Sequence, residues 1–119
     1  MSKPFAGLRV IDFTQVVSGP FATFQLAALG ADVIKVEPPG KGDPLRDWGA
    51  DGISVQWKIY ARNKRSIVMN LRDERGKAIL LDMVEGAQVF VENLRTGGLE
   101  TMGLRPEPPR ARTPGVPIP

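Results

Sequence analysis

Residues 10–43, VIDFTQVVSGPFATFQLAALGADVIKVEPPGKGD, constrain the fold more than any other stretch, because apolar runs there are broken by glycine and proline at intervals that leave few arrangements. Residues 8–13 mix Val, Ile and Phe between Gly7 and a polar segment, which suits a buried strand. Residues 14–19 break it. Ser18-Gly19-Pro20 then supplies a helix start, since serine accepts a bond from a free backbone N–H and proline fits the first turn. The helix that follows carries Phe21, Phe24, Leu26, Ala27, Ala28 and Leu29 with only Thr23 and Gln25 polar, so burial against more than one layer is expected. Gly30 closes it, and residues 31–36 read as a second strand. Strand, helix and strand in that order make a βαβ unit whose crossover returns the chain parallel to itself in one sheet.

In such sheets ligands sit outside the carboxyl ends of the strands, where helix N-termini also point. The loops over residues 14–19 and 37–43, the second carrying Lys41 and Asp43, meet there and are the first candidates for a site; as sequence they could equally be ordinary connections. Further along, residues 44–52 read as a loop and residues up to 62 as a short helix or irregular packed segment. SIVMNL, residues 66–71, is a third strand. Asp73 and Glu74 open a helix in which Asp73 and Lys77 have ion-pair spacing and Ala78, Ile79, Leu81 and Met83 supply the apolar surface, ending at Gly86. AQVFV, residues 87–91, is a fourth strand, followed by a polar glycine-rich loop to Gly98 and a helix start at residues 99–102.

With 119 residues there is room for one small domain, and no apolar run reaches the length of a membrane span. The N-terminus lacks a secretory layout, so a cytoplasmic location and no membrane partner are expected. Neither cysteine nor histidine is present, which excludes disulfides, thiolate zinc sites, thiol nucleophiles and serine–histidine triads within these residues; no metal is expected. The net charge of +3 is mostly terminal: residues 105–119 hold three arginines and one glutamate, leaving residues 1–104 nearly neutral. Such a balance does not argue for binding nucleic acid. Six of the eleven prolines also fall in residues 105–119, which are therefore expected to be an extended, disordered tail behind a domain of residues 1–104.

Several polar groups invite a chemical reading. Arg62, Lys64, Arg65 and Arg72 could bind phosphate or form a solvated basic face. Glu37 ends the second strand, where dinucleotide folds keep an acid for the ribose, but the G-x-G-x-x-G fingerprint is absent. Asn93 could offer its amide to a ligand or cap a turn, and Asp12 reads as structural, with no paired carboxylate nearby.

Four separated motifs, GLRVIDFTQVVSGPFAT, LGADVIKVEPPGKGDPLR, RNKRSI and AQVFVENLRTG, resemble in order and register the class III CoA-transferases, over residues 7–104. That family includes formyl-CoA transferase, the carnitine and bile-acid CoA-transferases and alpha-methylacyl-CoA racemase. The resemblance implies an α/β fold, with a Rossmann-like parallel sheet forming the incomplete N-terminal domain of such an enzyme, and a homodimer of interlocked chains. It implies that acyl-CoA and a carboxylate are substrates, with coenzyme A not permanently bound. Val17 and Ser18 would then lie beside the CoA, and Asn63, Lys64 and Arg65 would form the motif preceding a CoA-contacting strand. Met69, Asn70, Leu71 and Arg72 would border its adenosine end, and Asn93, Leu94 and Arg95 would line the site from the fourth strand.

There are departures. Some members carry arginine where this chain has Pro38 and a basic residue where it has Thr101. Members are also several times longer, and their nucleophilic aspartate lies beyond the equivalent of Leu104, so no catalytic residue is expected here. Pro106-Glu107 and residues 110–114 echo the family's continuation, whereas Val116-Pro117-Ile118-Pro119 cannot make its next strand. The expectation is a truncated or altered product that contributes to CoA binding; a non-catalytic remnant that binds CoA or pairs with a longer homologue is the alternative.

Overall fold

Period-two alternation along the strands decides which side of the sheet carries which chemistry. In the computed structural model, which describes residues 2–104, β1 (Arg9–Phe13), β2 (Asp32–Glu37), β3 (Lys64–Val68) and β4 (Val89–Glu92) form one sheet in the order β3-β2-β1-β4. Every pairing is parallel, with Ile11 opposite both Ile34 and Phe90. The expected α/β architecture is therefore present. The expected proline-rich tail at residues 105–119 lies outside the described residues.

One face of the sheet is apolar across its centre, with Arg9, Asp32 and Arg65 paired at its amino end. Ile11, Phe13, Val36 and Phe90 pack there against Leu80 and Val84 of α3 (Glu74–Glu85) and Leu99 of α4 (Gly98–Thr101), with Phe13 and Phe90 stacked at 6.3 Å. The other face changes character along the strands. Val10 and Val33 pack against Ala27 of α1 (Ser18–Ala28), but two residues further on Asp12 and Lys35 take their place, followed by Glu37, all almost fully buried. A 3-10 turn at Pro44–Asp47 and α2 (Val55–Tyr60) accompany that polar end, bringing in Leu45, Ser54 and Trp57.

Several local expectations shift. Ser18 is not the cap of α1: Val17 occupies that position and no side chain caps the helix. The apolar character of α1 is only partly buried, since Gly19, Pro20, Thr23 and Ala27 face inward while Phe21 and Leu29 are exposed. β3 begins at Lys64 rather than Ser66 because its register against β2 runs from Val33–Lys64 to Glu37–Val68. In α3 the apolar stripe is Leu80 and Val84, with Ala78 and Ile79 outside. Asp73 caps that helix through the Arg75 N–H at 2.9 Å, so Lys77 pairs with Glu74 instead.

α3 approaches the loop after β3 closely enough that only glycine fits at its contact. A Cβ at Gly76 would lie 2.1 Å from the Asn70 carbonyl oxygen, a backbone atom that cannot step aside cheaply. Gly76→Ala should cost about 1–3 kcal/mol of stability through overpacking. Gly86, at φ −88 and with its nearest neighbour 3.7 Å away, should accept alanine with a gain of about 0.4–1 kcal/mol. Thermal melts of the two variants check this, and a neutral Gly76→Ala would contradict the close contact.

Candidate functional site

Charged residues near the carboxyl ends of β1 and β2 are placed by the same alternation, and each is satisfied internally. Asp12 accepts from Lys64 Nζ at 3.0 Å and from Thr23 Oγ1 at 2.6 Å; Lys64 also donates to the Pro20 carbonyl at 3.0 Å. Burial pushes the Lys64 ammonium below its ordinary value, while Asp12 beside it pulls the other way. Lys35 Nζ lies 2.8 Å from Asp43 Oδ2 and donates to the Thr14 carbonyl at 2.9 Å, with both charged side chains 1% exposed. Glu37 accepts a forked pair of bonds from Arg46, at 2.8 and 2.7 Å, together with the Asp43 N–H and the Ser66 hydroxyl. Arg46 in turn lies 3.9 Å over the Trp57 ring. Burial alone would raise the Glu37 carboxyl, but the bonds from Arg46, Ser66 and the Asp43 amide bring it down to about 2.

These pairings revise three readings. The basic run divides: Lys64 is a buried counter-ion, Arg65 pairs with Asp32 at 2.7 Å, and Arg72 lines a cavity. Arg62 is exposed on the surface. Glu37 does not present a carboxylate for a ribose, because Arg46 and Ser66 occupy it. Asp43 likewise turns inward, while Lys41 lines a separate open cleft with Arg46, Asp47 and Gly49. Gly42 permits this turn: it sits at φ +72, and a Cβ there would meet Glu37 Oε1 at 2.6 Å. Asp12 is structural, as its sequence context suggested.

Outside the strand ends lie two neighbouring cavities. The larger, about 520 Å³, is walled by Phe13, Pro38, Pro39, Met69, Leu71 and Met102, with Asn70 and Arg72 adding polar groups. The smaller, about 420 Å³, is lined by residues 15–18 together with Asn93 and Leu94. Gln15 and Leu94 belong to both. Of the residues singled out in the sequence, Met69, Asn70, Leu71, Arg72 and Leu94 meet at the first cavity, and Val17, Ser18, Asn93 and Leu94 at the second. Arg95 lines neither; its carbonyl accepts the Gly98 N–H at 2.7 Å in the turn before α4.

Asn93 closes the gap between β1 and β4. Its Oδ1 accepts from the Gln15 N–H at 3.0 Å and its Nδ2 donates to the Gln15 carbonyl at 2.8 Å. β2 and β3 lie on one side of β1 and β4 on the other, so this clasp sits at the topological switch point, where parallel α/β sheets place their ligands. Sequence reasoning missed Gln15, Lys35 and Asp43 as organisers. The signal available was the spacing of Lys35 and Glu37 in the largely apolar run after Asp32, which puts two charges on the face that carries Asp12.

A parallel sheet with helices packed on it and cavities at its switch point is an α/β protein of the kind that places ligands outside the strand ends. The chain belongs to CoA-transferase family III, whose model matches residues 5–116. It is 43% identical to the succinyl-CoA–D-citramalate CoA-transferase of Chloroflexus aurantiacus, over 96% of this chain and 29% of that protein. It is 45% identical to human succinyl-CoA:glutarate CoA-transferase, over 86% of this chain and 24% of the relative. The crystal structure of a hypothetical protein from Mycobacterium tuberculosis superimposes with a TM-score of 0.90 at 39% identity, covering 97% of this chain and 32% of that one. A CAIB/BAIF family protein from Brucella suis gives 0.85 at 37% identity, covering 98% and 32%. The chain thus spans about a quarter to a third of the length of these relatives.

Glu37 makes acid stability a test of the network. Its folded pKa of about 2 lies below the ordinary 4.5, so its contribution is fully present above 4.5 and is lost as pH falls through about 2. Melting temperatures measured between pH 6 and pH 2 should therefore fall more steeply for the wild type than for Glu37→Gln; parallel profiles would contradict the assignment. Lys64→Met should cost about 3–5 kcal/mol in denaturant unfolding, because it leaves Asp12 buried without its counter-ion.

Proposed function

We propose that this chain supplies the N-terminal, CoA-binding part of a CoA-transferase that moves CoA from an acyl-CoA to a carboxylic acid. The observation that carries the reading is the pair of adjoining cavities at the strand ends, sharing Gln15 and Leu94. The apolar wall of the larger one, Phe13, Pro38, Leu71 and Met102, suits the apolar parts of CoA, and exposed Arg72 beside Asn70 offers a cation for its phosphates. Val17, Ser18, Met69, Asn70, Leu71, Arg72, Asn93 and Leu94 are the contacts this reading assigns, with Arg95 following them on the β4 loop. CoA comes and goes as part of the substrate.

The chain's own role is to bind and orient. Asp12, Glu37 and Asp43, the buried carboxylates at the strand ends, are each held by an internal counter-ion, and Glu92 accepts the Leu94 N–H, which supports a nucleophilic aspartate supplied from outside residues 2–104. Two of the relatives are named for transfer from succinyl-CoA to D-citramalate and to glutarate, and a small carboxylate acceptor is the corresponding substrate class proposed for the whole enzyme. The same consumption of carboxylates also suits a non-catalytic CoA-binding protein that works with a longer homologue. Residues 1–119 alone should show CoA binding and no turnover under either reading; a pulldown that recovers a longer homologue selects the second, and one that recovers only the chain itself selects the first.

Calorimetric titration with CoA should give saturable binding at micromolar to millimolar ligand, unaffected by NAD. Arg72→Ala should weaken binding by about tenfold, from loss of one charge-assisted contact. Absence of heat at millimolar CoA would overturn the proposal.

A further inference from the structure

Among the described residues, the two non-glycine positions with positive φ are Asn63, at 64°, and Val16, at 72°. Asparagine tolerates that region; a β-branched residue does so only where its surroundings compel it. At Val16 the compulsion is visible. Asp43 Oδ1 accepts the Val16 N–H at 3.0 Å, and Lys35, which holds the other carboxylate oxygen at 2.8 Å, also donates to the Thr14 carbonyl at 2.9 Å. Between these two fixed points Asn93 holds both backbone groups of Gln15, at 3.0 and 2.8 Å. Three consecutive residues are thus tied by side chains from β2, from the loop after β2 and from the loop after β4. The segment they hold, Gln15 and Val16 followed by Val17 and Ser18, is one wall of the smaller cavity.

We propose that Lys35 and Asp43 are positioning residues for the bound ligand. Their buried ion pair fixes the β1–α1 loop in its strained form before the ligand arrives, so that ordering the loop does not weaken binding. Neither side chain lines the cavity; both act through the Val16 amide and the Thr14 carbonyl. The inference rests on the reading of these cavities as a CoA site, but the clamp itself can be measured without ligand.

Two double variants, made in the protein at its natural length, separate charge from clamp. Lys35→Met with Asp43→Asn removes the ion pair yet keeps an oxygen for the Val16 N–H. Lys35→Met with Asp43→Leu removes that acceptor and replaces the buried pair with apolar groups, a change that proteins often tolerate. CoA affinity should fall by about threefold in the asparagine variant, which loses the hold of Lys35 on the Thr14 carbonyl, and by about tenfold or more in the leucine variant, which loses the acceptor for the Val16 N–H as well. Equal affinity of wild type and the leucine variant would overturn the proposal. In the unliganded wild type, the Val16 amide should exchange with solvent at least about tenfold more slowly than that of Val17. If the leucine variant does not fold, this ratio decides, and equal rates refute the clamp. Should the wild type bind no CoA, the functional reading fails while the exchange ratio still judges the clamp.

Discussion

The salt bridge between Lys35 and Asp43 governs much of what surrounds it. Two charges at 1% exposure are tolerable only when each finds nearly all its partners inside the protein, and these two recruit the Thr14 carbonyl and the Val16 and Leu45 amides to do so. The Asp43 N–H then bonds Glu37, which binds Arg46, which stacks on Trp57. On the neighbouring strand Asp12 makes the same demand and draws Lys64 in from the edge of the sheet. Loops that would otherwise be free to move after β1 and β2 are thereby joined to the sheet. Breaking the Lys35–Asp43 or Lys64–Asp12 pair by removing one partner leaves an uncompensated buried charge, which is why the polar end of this face is firmly specified.

Such a network explains what could and could not be read from the sequence. The βαβ unit, the parallel pairing and the order of strands and helices were legible because they follow from apolar runs and from glycine and proline punctuation. Boundaries moved where tertiary register overrode local preference: Lys64 and Arg65 look like the end of a loop, yet they pair with Val33 and Ile34 as the start of β3. The face of α3 was read correctly at Leu81 and Met83, which pack partly against the core, and wrongly at Ala78 and Ile79, because residues 78–81 are apolar right around one turn and only packing selects Leu80 and Val84 as its buried centre.

At the site, position was legible and chemistry was not. The loops after β1, β2 and β4 were expected at the strand ends, and they do gather there around the two cavities. What escaped was that Glu37, Asp43 and Lys64 face inward, since a charged residue in sequence carries no mark of its partner. The strain at Val16 was equally hidden, because nothing in the run of residues 14–17 signals a left-handed valine; it follows from an acceptor 27 residues away.

Family membership and geometry meet in one claim, that the cavities opening at the ends of β1, β2, β3 and β4 receive coenzyme A. Hydrogen–deuterium exchange with and without saturating CoA maps that claim onto the chain. The account predicts added protection confined to residues 15–18, 69–72 and 93–95, with α2 and the outer face of α3 unchanged. Protection elsewhere with none at those three loops would place the ligand, and the function built on it, in a different part of the molecule.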